Sequence, residues 1–421
     1  MEVNAMFDFL LNDEQRKIRD EARALVKSIP RQMILDMDSD KLTFPTEFLK
    51  EAGKRNLMGC RYPKKWGGRG LDWVATVTVV EEVAKLGHIF GCTFGIGGEL
   101  VCDAIILHGT DDQKEAYVKP LLAGEIFAAE CLTEPRGGSD FFGTTTKAED
   151  KGDYFLVNGQ KRFIVGADMA DYFLVYAKTD FEKDAHPHKS LTALIVDRGE
   201  GVNVEYIYGL MGSRGGGAAR VVFKDVTVPK KNVIGKINGA YDIFNTMMIP
   251  ERLGSAAMAL GAAVPALEVA TGYTTRRKAF GTTINNFQGV NFQVAEAATQ
   301  IDAARSIIYT TAKAVDSGMP AKQTRRIVSE AKKFTTEAVQ KAVHHAMQVM
   351  GGIGYTNIFP VERISRDLRL SSIWTGSNEV MSMIIAHEWY KEYAAGKQSG
   401  ATRDLENDAA EADAPDEKIY G

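Results

Sequence analysis

The residues best suited to chemistry in this sequence are a glycine-rich loop and a few isolated charged groups. The loop reads Thr133-Glu134-Pro135-Arg136-Gly137-Gly138-Ser139-Asp140. Glycine lets backbone N–H groups approach a flat ring or a phosphate closely, and Thr133 and Ser139 add hydroxyls that could hydrogen-bond a ring edge. In isolation a plain glycine-rich turn fits the segment equally well. Glu251 follows Pro250; an acid there suits a catalytic base, and equally the first turn of a helix, where the dipole favours negative charge. Glu130 stands in an otherwise apolar run before the loop, and Arg136 sits within the loop. Glu130 reads as a buried acid or a surface charge, and Arg136 as a partner for a phosphate, a carboxylate or water. The seven histidines form no H-E-x-x-H and no spacing that pairs with cysteines, so a metal site is not expected.

Three zones of different texture must position these groups. From residue 1 to 128 the pattern is helical; Asn12 followed by Gln15 resembles a capping box, and Ile18, Ala22, Leu25 and Val26 recur at helical spacing. From 129 to 237 short runs rich in aliphatic and aromatic residues predict a β domain, with Asn158-Gly159 signalling a two-residue hairpin between 153–157 and 160–165. From 238 to 395 longer helices return. Val294, Ala298, Ile301, Ile308 and Val315 mark one stripe, and Gly318 and Pro320 punctuate a turn, so an antiparallel bundle is expected. Residues 396–421 are acidic and poor in apolar groups, which predicts a mobile tail.

With 421 residues the chain allows about two to three domains. A net charge of −4 gives no electrostatic reason to expect nucleic acid. The four cysteines form no C-x-x-C pair and read as thiols in a reducing compartment. The first residues lack a basic segment followed by an apolar core, and the apolar stretch Leu253 to Leu267 is too short for a bilayer. A soluble cytoplasmic protein is the expectation, with no membrane partner.

The motifs, taken together, carry a resemblance. Leu132 to Asp140 resembles the T-E-P-x-x-G-S-D signature of acyl-CoA dehydrogenases. Arg277-Lys278-Ala279-Phe280-Gly281 with Phe287-Gln288 resembles that family's R-K-x-F-G…Q block. Gln348 to Tyr355 and Arg366-Asp367 resemble its Q-x-x-G-G-x-G and R-D elements. The matches fall in family order and leave out only the acidic tail. The resemblance implies an N-terminal all-α domain, a middle β-barrel or sandwich domain and a C-terminal four-helix bundle. It implies FAD, an acyl-CoA substrate, an electron-transfer flavoprotein as acceptor, and a homotetramer whose cofactor site crosses a subunit interface.

It also implies roles residue by residue. Cys131, Leu132, Thr133, Gly138 and Ser139, with Phe163, Ile164 and Val165, would contact the flavin. Arg277, Phe280, Phe287, Gln288, Gln348, Gly351 and Gly352 would hold the pyrophosphate and adenosine of a neighbouring subunit's FAD, and Ser377 and Glu379 complete the cofactor set. The family's reaction removes the substrate α-proton to a carboxylate and the β-hydrogen as hydride to flavin N5. One branch carries the base where this sequence has Thr375, which cannot serve. The other, as in isovaleryl-CoA and long-chain dehydrogenases, carries it on the first helix of the C-terminal domain, where Glu251 stands; Glu379 ranks second. Thr375 and Gly376 would meet the thioester through backbone, and Ser139 and Arg252 would meet other parts of the substrate.

Two departures matter. The family's W-I-T reads Phe163-Ile164-Val165, so the hydroxyl that would bond flavin N5 is missing. Gly91, Gly95, Gly97 and Gly98 fall on the helix that lines the acyl pocket in the family; they suggest room for a bulky, branched or cyclic acyl group, with close helix packing as the alternative. Rival readings are an acyl-CoA oxidase, an enoyl-CoA reductase on the same fold, and a non-catalytic scaffold.

Overall fold

The computed structural model describes residues 3–95, 100–182, 184–399 and the single positions 403, 408, 410 and 414. The N-terminal helices are α1 (Asp13–Ser28), α2 (Arg31–Asp38), α3 (Thr46–Lys54), α4 (Trp73–Ala84), α5 (His88–Gly95), α6 (Cys102–His108), α7 (Asp111–Gln113) and α8 (Lys119–Leu122). Asn12 caps α1 as expected: its side chain accepts from the Gln15 N–H while Gln15 bonds back to the Asn12 N–H. Ile18, Ala22 and Leu25 are buried along one face of α1.

The middle region holds β1 (Ala128–Cys131), β2 (Lys147–Asp150), β3 (Tyr154–Ile164), β4 (Tyr172–Lys178), β5 (Leu191–Asp197), β6 (Val202–Ile207), β7 (Ala219–Pro229) and β8 (Val233–Ile234). They form one sheet in the order β6-β7-β3-β2-β4-β5-β8, with β1 added parallel to β4. The hairpin expected at Asn158-Gly159 does not form; both residues lie inside the single strand β3. They make a bulge against β7 instead, where Asn158 and Asp225 exchange bonds of 2.9 and 3.0 Å and Asp225 takes φ of 52°. Long-range pairing with β7 overrides the local turn signal. The central strands are buried on both faces. Phe173, Val175 and Ala177 of β4 enter the sheet's own core, whereas Tyr172, Leu174 and Tyr176 face the helices.

The C-terminal bundle comprises α9 (Ala240–Thr274), α10 (Gln288–Asp316), α11 (Ala321–Met350), α12 (Val361–Leu368) and α13 (Asn378–Ser399), with a small hairpin of β9 (Lys278–Ala279) and β10 (Thr282–Thr283) after α9. Ile301 and Ile308 of the predicted stripe on α10 are buried, and Gly318 turns the chain with φ of 77°. Helix α9 is long and apolar enough to cross a membrane, yet its most apolar stretch is 78 % buried within the protein. It lies so close to α4 that a Cβ on Gly261 would meet the Glu81 carbonyl oxygen at 2.1 Å. A buried pair, Arg305–Glu81 at 2.9 Å, joins α10 to α4. Residues 396–399 continue α13, and the rest of the proposed acidic tail lies outside the described residues apart from its four single positions.

Candidate active site

The glycine-rich loop is pinned from beneath. Glu134 and Gly137 exchange backbone bonds of 3.3 and 3.0 Å, closing a tight turn over Pro135 and Arg136. The Glu134 carboxylate is 2 % exposed. It accepts from the Thr145 N–H (2.7 Å), the Thr145 hydroxyl (2.6 Å) and the Thr146 N–H (2.9 Å), and it pairs with Lys161 at 2.9 Å. Burial pushes its pKa up, but Lys161 and the two threonines win and hold it down at about 2. Lys161 also donates to the Leu132 carbonyl at 3.2 Å, and the Arg162 N–H to the Thr133 carbonyl at 2.9 Å, so β3 carries the N-terminal end of the loop. Arg136 turns back onto its own loop, bonding the Gly143 carbonyl at 2.9 Å and pairing with Asp140. Beyond the loop, Phe163 takes φ of 59° and leaves its ring half exposed, against Tyr208 at 4.7 Å. A non-glycine residue is strained there. Ile164 is buried, and Val165 packs against the helical core.

Glu251 does not lie in the first turn of a helix. It is eleven residues past the start of α9, after Pro250 within the helix, so the dipole explanation fails. Its side chain is partly buried, and Oε2 has no described partner. Burial raises its pKa to about 7, against the opposing pull of Arg252 and Lys332. One turn further, Ser255 donates to the Thr375 hydroxyl at 3.0 Å, which brings the late turn to the same face of α9. Thr375 has φ of 53° and Gly376 φ of 78°. Neither spends its backbone N–H on a described acceptor. Lys332 of α11, fully buried, holds the turn by donating to the Gly376 carbonyl (2.8 Å) and to Asn378 (3.0 Å). Burial lowers its pKa to about 8.

Other expected substrate residues fall into place unevenly. Arg252 is 4 % exposed and donates to Ser329 at 3.1 Å inside the bundle, while its buried Nε has no described partner. Gly91 does not make room for a ligand: a Cβ there would stand 2.8 Å from Met258 Cβ and 3.0 Å from Ala84 Cβ, so its role is close packing of α5 between α9 and α4. At Gly95 the nearest atom would be Met258 Cε at 3.5 Å, an ordinary contact. Gly97 and Gly98 lie outside the described residues.

Glu130 is a partly buried acid beside Glu251, not a surface charge. Burial, and then the Glu251 charge, raise its pKa to about 8, while Tyr176 and Lys161 act the other way. Sequence reading also missed Lys161, Tyr176, Ser255 and Lys332. A signal existed for Lys332, four residues after Val328 and three before Thr335 on the buried face of α11. Nothing local marks Lys161 among its charged neighbours.

Most of the remaining cofactor residues stand far away. Arg277 follows the end of α9, and Phe280, 96 % exposed with φ of 53°, tops the β9–β10 hairpin against Phe287. From Glu251 to the end of α9 is about 35 Å at 1.5 Å per residue, so one chain cannot bring both groups to one site. Gln288, Gln348, Gly351 and Gly352 are exposed. Gly137, Gly281, Gly351 and Gly352 each have open space where a Cβ would stand. Ser377 and the exposed Glu379 do not share that distance: they flank the start of α13, directly after the Thr375–Gly376 turn. A surface groove lined by Glu14, Lys17, Glu21, Lys64 and Arg69 lies away from all these residues and offers only solvated charge.

Family models describe the whole arrangement: the acyl-CoA dehydrogenase N-terminal domain matches residues 12–125, the middle domain 129–226 and the C-terminal domain 238–389. The chain belongs to the acyl-CoA dehydrogenase family. It is therefore an oxidoreductase that uses FAD and acts by dehydrogenation or reduction on acyl-CoA thioesters. A 3-(aryl)acrylate reductase of Clostridium sporogenes is 36 % identical over 83 % of this chain and 91 % of its own. Subunit CarC of a caffeyl-CoA reductase–Etf complex from Acetobacterium woodii is 34 % identical over 89 % and 98 %. The butyryl-CoA dehydrogenase of Megasphaera elsdenii superposes with a TM-score of 0.86 at 30 % identity, over 90 % of this chain and 99 % of its own. The open glycines, the half-exposed Phe163 ring and the pinned 131–139 loop fit FAD in this member of the family.

Proposed function

We propose that this acyl-CoA dehydrogenase converts an acyl-CoA thioester to its 2-enoyl-CoA, with Glu251 taking the α-proton. The observation that carries the reading is the meeting of Glu251, one oxygen unpartnered, with the left-handed turn at Thr375 through Ser255. Burial makes the carboxylate a stronger base, and Arg252 and Lys332 keep it able to ionise near neutrality. The unspent Thr375 N–H is a donor for the thioester carbonyl, which acidifies the α-proton. FAD supplies the acceptor for the β-hydride. Residues 131–133, 138, 139 and 163–165 would hold its ring, with Ser377 and Glu379 beside the same chain's Thr375 turn, and Arg277, Phe280, Phe287, Gln288, Gln348, Gly351 and Gly352 would hold the rest across a subunit boundary. The 35 Å separation of these groups within one chain supports that division, and the exposed Phe292, Phe334, Trp389 and Tyr393 of the bundle support a homotetramer. The acyl group is bulky, branched or cyclic, with aryl-acting relatives in support and Gly95 as the one of the two α5 glycines, Gly91 and Gly95, at which a Cβ meets no close contact. An electron-transfer flavoprotein accepts the electrons, in keeping with the Etf-linked relative. The protein works in the cytoplasm, and no disulfide joins its cysteines.

The test is the anaerobic visible spectrum of the purified holoprotein with butyryl-, isovaleryl- and 3-phenylpropionyl-CoA. Bleaching by the branched or aryl thioester, lost in Glu251→Gln, is expected; undiminished bleaching in that variant refutes the base. Reduction is a second reading, favoured by the two relatives named as reductases and by the absence of a hydroxyl at Val165. Reoxidation of reduced flavin by the enoyl-CoA, without bleaching by the saturated thioester, would select it.

A further inference from the structure

Glu130 is brought to the base by the sheet. Ala129 and Cys131 of β1 enter the sheet's own core while Ala128 packs with the helices, so the two-residue period of a strand turns Glu130 towards α9. β1 and β4 pair in parallel with Glu130 opposite Leu174, and Tyr176 follows two residues along on the same face. Tyr176 is fully buried; its ring meets Phe141 edge-on at 5.1 Å, and Phe141 stacks on Phe244 of α9 at 4.0 Å. Glu251 lies two helical turns beyond Phe244. Glu130 Oε1 and Glu251 Oε2 are buried without a described hydrogen-bond partner, and the buried Tyr176 hydroxyl stands close enough to Glu130 to favour its charged form.

We propose that Glu130 and Glu251 form one carboxyl pair in which Glu130 keeps its proton while Glu251 is the ionised base, with Tyr176 orienting Glu130. This rests on the reading of Glu251 as base. Two carboxylates in one partly buried site do not ionise together cheaply, so the surrounding charges decide which one ionises first. Glu251 faces Arg252 from its own helix and Lys332 from α11. Glu130 faces Lys161 of β3, but that ammonium is already paired with Glu134 at 2.9 Å. The charge therefore settles on Glu251. When the substrate's α C–H bond breaks, the proton forms an O–H bond on Glu251 and its electron pair moves towards the thioester carbonyl. A neutral Glu130 does not oppose that negative charge; an ionised one does. Glu130 is thus a positioning residue whose proton sets the alkaline limit of the reaction.

The experiment is stopped-flow flavin reduction of the holoenzyme by isovaleryl-CoA and 3-phenylpropionyl-CoA across pH, with infrared spectra of the protein alone. In wild type the rate rises as Glu251 ionises and falls again as Glu130 loses its proton near 8. Glu130→Gln keeps the rise and loses the fall, so at about pH 9 it outruns wild type by up to ~10-fold relative to their plateaus. Tyr176→Phe moves the fall to higher pH. Near pH 8, where Glu251 is mostly ionised, wild type shows a protonated-carboxyl stretch that weakens in Glu130→Gln, a readout that needs neither substrate nor turnover. An unchanged alkaline fall in Glu130→Gln, or no weakening of the carboxyl band, overturns the pair. Flavin reduction that survives in Glu251→Gln overturns the base instead, so the two failures are distinct. Should Glu130→Gln not fold, the Tyr176→Phe profile and the wild-type band decide.

Discussion

Removing Lys161 should loosen the flavin loop by a calculable amount. Lys161 is fully buried, pairs with Glu134 at 2.9 Å and donates to the Leu132 carbonyl at 3.2 Å. Glu134 titrates at about 2 rather than 4.5, a difference worth roughly 3 kcal/mol at about 1.4 kcal/mol per pH unit. Because the folded pKa is depressed, that stability is present above 4.5 and is lost as pH falls towards 2. Lys161→Met keeps the length of the side chain but leaves Glu134 with three hydrogen bonds and no cation. Breaking a buried pair from one side costs about 3–5 kcal/mol, and the surviving bonds from Thr145 and Thr146 put this case near 3 kcal/mol. The assay is scanning calorimetry of the holoprotein at neutral pH and near pH 3, with bound FAD measured after gel filtration. The variant should melt several degrees lower at neutral pH, lose more FAD, and approach wild type in acid. Glu134→Gln combined with Lys161→Met should recover at least half of the loss, because no buried charge is then left alone. An unchanged melting temperature, or a double variant as unstable as the sum of the singles, refutes the argument.

Three further outcomes follow from the same geometry. Flavin bleaching by an active acyl-CoA should rise with pH through about 7, where Glu251 ionises, and Glu251→Gln should slow it by about 10²–10⁴-fold; a flat profile in stopped-flow would contradict the assignment. Gly91→Ala should destabilise by about 1–3 kcal/mol through the contacts with Met258 and Ala84, whereas Gly95→Ala should fold normally; calorimetry of the pair checks the contrast. Arg277→Ala or Phe280→Ala should weaken FAD retention without altering the monomer's circular dichroism. Gel filtration with flavin absorbance reads both effects, and full retention would count against a cofactor held across subunits.

The division of legibility follows from how far each signal reaches. The cap at Asn12, the turn at Gly318 and the alternating strands are carried by neighbours in sequence, and they were readable there. Asn158-Gly159 misled because the same residue types serve a hairpin or a bulge, and only the partner strand chooses between them. Gly91 misled similarly: an absent Cβ makes room, but sequence does not say whether a ligand or another helix takes the room. Lys161 and Lys332 were invisible because a buried lysine has no pattern of its own; its meaning lies in Glu134 and Gly376, which are distant in the chain.

By itself, then, the sequence determined the family, its FAD chemistry and the carboxylate left as candidate base, since the motifs are strings of neighbouring residues and Thr375 cannot accept a proton. Only the tertiary structure decided what surrounds that carboxylate. Pairing of β1 with β4 turned Glu130 and Tyr176 towards α9, and packing of α11 set Lys332 under the Thr375 turn. The physical reason is that a pKa and an unpaired donor are properties of an environment, and that environment comes from four elements and a turn scattered along the chain from Ala128 to Gly376.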